Sequence, residues 1–406
     1  MKTKLIALAI FAATATTVAL YPAYQGVGAI TAPPDDPSHV ALPPVDPSAN
    51  ERPVVEVAFV LDTTGSMAGL LQAAKDKIWS IASTLASAQP APQIRMGLVA
   101  YRDRGDAYVT QVVELSSDLD SMQARLMELQ AGGGGDGPES VNQALHDALH
   151  GIGWSHDPKA YKAIFLVGDA PPHMDYQDDV KYPETIALAR EQGIAVNTVQ
   201  CGQIAATTRE WQRIAQLGDG KYLRVDQNGG AVAIATPYDR KLAELSAKLD
   251  ATRLYYGSAE EKAEQARRLA ATDKVHAESS VASRARRATF NASPAGKANF
   301  VGEKELVEDV VSGRVDLTTL DKAALPAPLQ ALAPAEQKAA IEEQAERRKA
   351  LSAEVQSLAA HRDEYLKRQV AERGGAKDSL DDKIYGAVRE QAAAKGLKYE
   401  ADAPAY

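Results

Sequence analysis

The stretch Val54-Val-Glu-Val-Ala-Phe-Val-Leu61, followed by Asp62-Thr-Thr64-Gly-Ser66, limits the fold more than any other part of the chain. A short, β-branched apolar run ending in a Thr-Gly break reads as a strand buried on both faces. Met67, Leu70, Leu71, Ala74, Ile78, Ile81 and Leu85 then recur at helical spacing. Asp62 to Ser66 therefore occupy the loop between a parallel strand and its crossover helix, the place where open α/β sheets bind ligands. Asp62, Thr64 and Ser66 put a carboxylate and two hydroxyls at alternate positions. Such hard oxygen donors suit Mg²⁺, which takes about six oxygens and gives up its waters reluctantly. Asp, Ser and Thr are also favoured helix caps, so this segment alone leaves capping and metal binding both open.

Two later segments favour the metal. Gly132 to Gly135, Asp136, Gly137, Pro138, Glu139 and Ser140 precede Val141, Ala144, Leu145, Ala148 and Leu149 at helical spacing. Glycines allow close approach of backbone to a ligand, and Pro138 fits a first helical turn. Ala163-Ile-Phe-Leu-Val-Gly-Asp169-Ala-Pro-Pro-His173 is a second buried strand ending in an aspartate. Further strands are expected at Ile94 to Tyr101, around Val109 to Leu115, at Ile194 to Gln200 and at Lys221 to Val225, with helices at 119–130, 183–192 and 209–217. This alternation predicts a doubly wound, mainly parallel sheet flanked by helices.

With these segments the chain resembles the von Willebrand factor type A domains that carry a metal-ion-dependent adhesion site. Their Asp-x-Ser-x-Ser motif matches Asp62, Thr64 and Ser66, with Thr64 in place of a serine, and their final metal aspartate matches Asp169. The resemblance implies that the two hydroxyls bind the ion directly and the aspartates act through water. Where the family commonly has a threonine, this chain offers Asp136 or Glu139. A carboxylate there would neutralise more of the ion's charge and weaken its pull on a partner's carboxylate. The strings Leu61-Asp-Thr-Thr-Gly-Ser-Met67, Val99-Ala-Tyr-Arg-Asp103 and Gly168-Asp-Ala-Pro-Pro-His173 resemble the subgroup of hemicentins and α-kinase-associated domains, which has bacterial exported relatives. The resemblance spans residues 54–240 and brings no kinase domain. It implies a divalent-metal-dependent protein-binding module holding Mg²⁺, or alternatively Mn²⁺ or Ca²⁺, with an acidic side chain of a protein partner completing the site.

The net charge of −9 argues against general attraction to nucleic acid. Lys2 and Lys4 precede the apolar run Leu5 to Leu20, so residues 1–29 read as an export signal, cleaved near Val27-Gly28-Ala29, or as an uncleaved membrane tether. Export would place the domain in the periplasm, outside the cell or on a membrane facing away from the cytoplasm. The proline-rich residues 30–53 are expected to be a spacer. The single cysteine, Cys201, rules out an intramolecular disulfide and is expected to be a buried thiol.

Residues 241–406 read as a helical region with one long charged helix at about 336–372. Its Leu351-to-Leu358 spacing suits a coiled coil, but Arg348 and Arg362 interrupt the seam. The basic group Arg284, Arg286 and Arg287 is expected to lie on a solvated helix face. Oligomeric state is not legible. A second functional reading is an envelope assembly factor that acts through this helical region, with the metal only stabilising the domain. A hydrolase is disfavoured: a convincing general base is missing, and His146 and His150 lack the Glu of a zinc-protease motif. Arg104-Gly-Asp106 is short enough to be coincidental, and His173 is expected to order its loop.

Overall fold

The computed structural model describes residues 52–135, 137–229, 234–372 and 379–400. The proposed signal or tether, most of the spacer and Asp136 lie outside them. Among the described residues no helix is long and apolar enough to cross a membrane.

The Val/Ile-rich runs form six strands: β1 (Val54–Asp62), β2 (Gln93–Tyr101), β3 (Thr110–Ser116), β4 (Tyr161–Gly168), β5 (Ile194–Cys201) and β6 (Tyr222–Val225). Their order in the sheet is β3-β2-β1-β4-β5-β6. Among the described residues only the β2–β3 pair of this sheet is antiparallel. The order reverses between β1 and β4, which opens a crevice at the carboxyl ends of these two strands. The register sets Asp62 opposite Tyr101 and Leu61 opposite Val167, so Asp62, Tyr101 and Gly168 share the last row.

One face of the sheet is covered by α3 (Val141–His150), α4 (Tyr182–Glu191) and α5 (Ala205–Leu217), packed on Ala58, Val60, Ile164 and Leu166. On the other face α1 (Ala68–Ala86) and α2 (Leu119–Glu128) pack on Val57, Phe59, Leu61, Phe165 and Val167. Beyond β6 come α6 (Asp239–Asp250), α7 (Ala259–Glu278) and α8 (Val281–Asn291). The long charged helix α9 (Pro334–Glu372) and α10 (Leu380–Ala392) follow. Ser258 and Glu261 close a reciprocal cap at the start of α7, and Ser379 caps α10.

The carboxy-terminal helices do not stand apart from the sheet. Leu380, Ile384, Ala387, Val388, Ala392 and Leu397 belong to the same buried cluster as α1 and the strands. Gln391 bonds Tyr161 of β4 at 2.8 Å and Asn197 of β5 at 2.8 Å, and Lys398 pairs with Gln89. Asp381 accepts from Lys77 of α1 at 2.8 Å, with both side chains almost fully buried.

One expectation is overturned here. Arg286 and Arg287 are buried, not solvated. Arg287 faces inward because Asp120 and Asp250 wait there for a planar cation. Arg348 and Arg362 interrupt the apolar stripe of α9 as expected: Arg348 reaches Glu305 and Thr252, and Arg362 reaches Asp239 at 2.8 Å. The polar stripe of α9 is thus anchored by ion pairs to its own chain.

Candidate metal centre

The register at the sheet's carboxyl end decides which side chains meet. Asp62 is fully buried, and its Oδ1 accepts from the Thr64 amide at 2.9 Å and from the Thr64 hydroxyl at 2.7 Å. This turn forms because a short side-chain carboxylate can replace a backbone acceptor two residues on. The Thr64 and Ser66 hydroxyl oxygens stand 3.4 Å apart, and Ser66 lies at the exposed mouth. The other oxygen of Asp62, Oδ2, is buried with no hydrogen-bond partner among the described residues.

Asp169 follows β4 directly and is buried beside Asp62. Burial, with the neighbouring Asp169 carboxylate adding to it, pushes the Asp62 carboxyl up to about 7 despite the opposing bonds from Thr64 and the Asp169 backbone. An ionised Asp62 is therefore costly in this place without a cation. Tyr101 completes the floor: its buried hydroxyl has no partner among the described residues, and burial and then the negative Asp62, Glu139 and Asp169 push it well up. A Cβ on Gly168 would stand 2.6 Å from that hydroxyl and 3.0 Å from Asp62 Oδ2, so both polar atoms converge on a space that only glycine leaves open.

Glu139 comes from the glycine-rich loop. Its amide donates to Pro171 O at 2.9 Å, and its carbonyl accepts from the His173 amide at 3.1 Å, which seams this loop to the one after β4. A Cβ on Gly134 would lie 3.1 Å from Thr64 Cβ and 3.2 Å from Glu139 Oε1, so the Glu139 carboxylate borders Thr64. The structure thus gathers Asp62, Thr64, Ser66, Glu139 and Asp169 at one end of the sheet. Asp136, the other candidate from this loop, is outside the described residues.

Asp103 supports this arrangement, accepting from Ser140 at 2.8 Å and from Tyr176 at 2.8 Å. His173 bonds Asp175 through Nδ1 at 2.8 Å and stacks on Tyr176, so it orders the loop. Arg104 is held by Asp178 and Asp179, and Asp106 accepts from the Gly134 amide at 3.1 Å; the Arg-Gly-Asp string is engaged in folding its own loops. Among the described residues no three carboxylate, imidazole or thiol side chains form a metal cage. The donors are instead mixed hydroxyls and carboxylates. Sequence reasoning missed Tyr101 as part of the floor and Gln227, whose amide meets Asp169 from the loop after β6. Tyr101 sits in a string already singled out, whereas no spacing links Gln227 to the other loops.

A model of the von Willebrand factor A domain family matches residues 56–237. The chain is similar to the von Willebrand factor A domain-containing protein 7 of Rattus norvegicus, 37% identical over 120 residues that make up 30% of this chain and 12% of that protein. It is also similar to the alpha-protein kinase vwkA of Dictyostelium discoideum, 28% identical over 120 residues, 29% of this chain and 19% of that one. The chain therefore spans only a small part of the length of these curated relatives. Among solved structures, the proximal thread matrix protein 1 of the mussel byssus, with a zinc-occupied MIDAS motif, aligns over 44% of this chain and 43% of its own at 16% identity, with a TM-score of 0.34.

Proposed function

Because residues 56–237 form a von Willebrand factor A domain, we propose that the chain is a divalent-metal-dependent protein-binding module rather than an enzyme. The observation that carries this reading is the buried, unpartnered Asp62 Oδ2 beside the Thr64 and Ser66 hydroxyls and the Asp169 carboxylate. A buried carboxylate oxygen without a donor is costly, and a hard cation offsets that cost. Every candidate donor is an oxygen, which fits Mg²⁺, with Mn²⁺ and Ca²⁺ as the other ions. Thr64 and Ser66 would hold the ion directly, Asp62 and Asp169 would orient its waters, and Glu139 would close the side towards the glycine loop. The bound ion would supply a positive point at the exposed mouth near Ser66, to which an acidic side chain of a protein partner is drawn. The apolar run Leu5 to Leu20 behind Lys2 and Lys4 supports a place outside the cytoplasm, which amino-terminal sequencing of the mature chain tests.

Calorimetric titration of Mg²⁺, Mn²⁺ and Ca²⁺ into the chelator-stripped full chain tests the site. Saturable binding of one ion per chain is expected, lost in Asp62→Ala and in Asp169→Ala. Binding that survives unchanged in both variants would place the ion elsewhere and overturn the reading. Point variants are required, because α10 is part of the sheet's core and deletion of the helical region removes the fold along with any partner site.

A further inference from the structure

Gln227 lies two residues beyond the end of β6 and is exposed at the rim of the metal centre. Its Nε2 donates to Asp169 Oδ2 at 2.6 Å, lies 3.3 Å from the Ser66 carbonyl oxygen and lies 3.8 Å from Met67 Sδ. The loop after β5 makes way for it: a Cβ on Gly202, whose φ is +72°, would come within 2.5 Å of Gln227 Oε1. One neutral amide thus touches the loops after β1 and β4 and fills a place left by the loop after β5. A short bond from an amide to a carboxylate is charge-assisted and fixes the acceptor's orientation.

We propose that Gln227 is a positioning residue that sets which divalent ion the centre prefers. The proposal rests on the metal-binding reading above. With Oδ2 engaged by the amide, Asp169 presents a single oxygen to the site. Mg²⁺ demands near-octahedral geometry built from single oxygens and retained water, whereas Ca²⁺ takes six to eight oxygens and accepts a carboxylate through both. The Gln227 amide therefore keeps Asp169 acting through water with one oxygen, which suits the smaller ion, and its loss frees a second oxygen with which the carboxylate can displace that water and bind the larger ion directly.

The test is titration of Mg²⁺ and Ca²⁺ into the chelator-stripped full chain, wild type beside Gln227→Leu and Gly202→Ala. Melting temperatures in chelator serve as the control for folding. Gln227→Leu is expected to weaken Mg²⁺ binding about tenfold or more, the range seen when partners of metal ligands are removed. Ca²⁺ binding should hold or tighten, so that the ratio of the two dissociation constants moves by at least that factor. Gly202→Ala displaces the amide without removing it and should shift the ratio in the same direction. An unchanged ratio in folded Gln227→Leu, or equal weakening of both ions, overturns the proposal while leaving the metal centre standing. A folded wild type that binds neither ion overturns both.

Discussion

Removal of residues 379–406 is expected to leave a chain with no cooperative unfolding transition. Helix α10 and the segment after it bury Leu380, Ile384, Val388 and Leu397 against α1 and the strands, each almost fully. Burial of such a side chain contributes about 1.5–3 kcal/mol, or roughly 6–12 kcal/mol for these four, an upper estimate because real unfolded chains already bury some surface. A whole domain is stable by only about 5–15 kcal/mol. The truncation also removes Asp381, the acceptor of Lys77, whose amine burial holds below its ordinary range against the opposing pull of that carboxylate. Near-ultraviolet circular dichroism and a thermal melt of the truncated chain decide the matter. A sharp transition within a few degrees of wild type would mean that α10 only decorates the domain.

Arg287→Ala is expected to be the most damaging substitution outside the sheet. Arg287 is fully buried, and its fork reaches Asp120 through Nε at 2.6 Å and through Nη2, Asp250 through Nη1 at 2.6 Å, and Ser246 at 2.8 Å. Truncating one member of such a buried group costs about 3–5 kcal/mol, because the remaining charges lose their partner in a place water does not reach. Asp120 keeps Thr272, and Asp250 keeps His276 and Arg253, which places the loss mainly on Asp120. Lys is expected to rescue little, since one ammonium cannot span two carboxylates. Replacing the pair together, as Asp120→Leu with Arg287→Met, should recover much of the stability, and the double-mutant cycle by urea unfolding measures the coupling. Additive single effects would show that the two residues do not act as a pair.

The same cluster has an acid limb. Burial pushes the Asp250 carboxyl up, but Arg287, the His276 bond and Arg253 outweigh it and hold the group well below its ordinary 3.8. A depressed carboxyl stabilises the fold at every pH above its unfolded value, and that contribution fades as the pH falls from about 4 towards the folded value. Wild type should accordingly lose more stability than Asp250→Asn over that acid range.

The centre of the sheet was legible because β1 and β4 are apolar runs closed by Thr-Gly and Gly-Asp breaks, a pattern set by burial on both faces and independent of distant partners. Strand positions from Ile94 to Val225 fall within a few residues of those expected. The placement of the candidate residues was readable where they end or follow strands directly, as with Asp62 and Asp169. It was not readable for Gln227, whose link to Asp169 spans 58 residues and obeys no local period. Arg286 and Arg287 were misjudged for a related reason. A helix with arginines at these positions looks solvated until the acid facing Arg287, 167 residues earlier, is known. Docking of α10 was equally hidden: its apolar spacing identifies a helix, but not the surface it covers.

The ion pair between Lys77 and Asp381 joins residues 304 positions apart, which makes completion of the sheet's core a late event in the life of each new chain. At ordinary rates of synthesis about 15–60 s separate the emergence of α1 from that of α10. Throughout that interval the apolar surface of α1 and the part of the strand cluster that α10 will cover stand open to wrong pairing. Such a nascent chain is a natural client for holding chaperones.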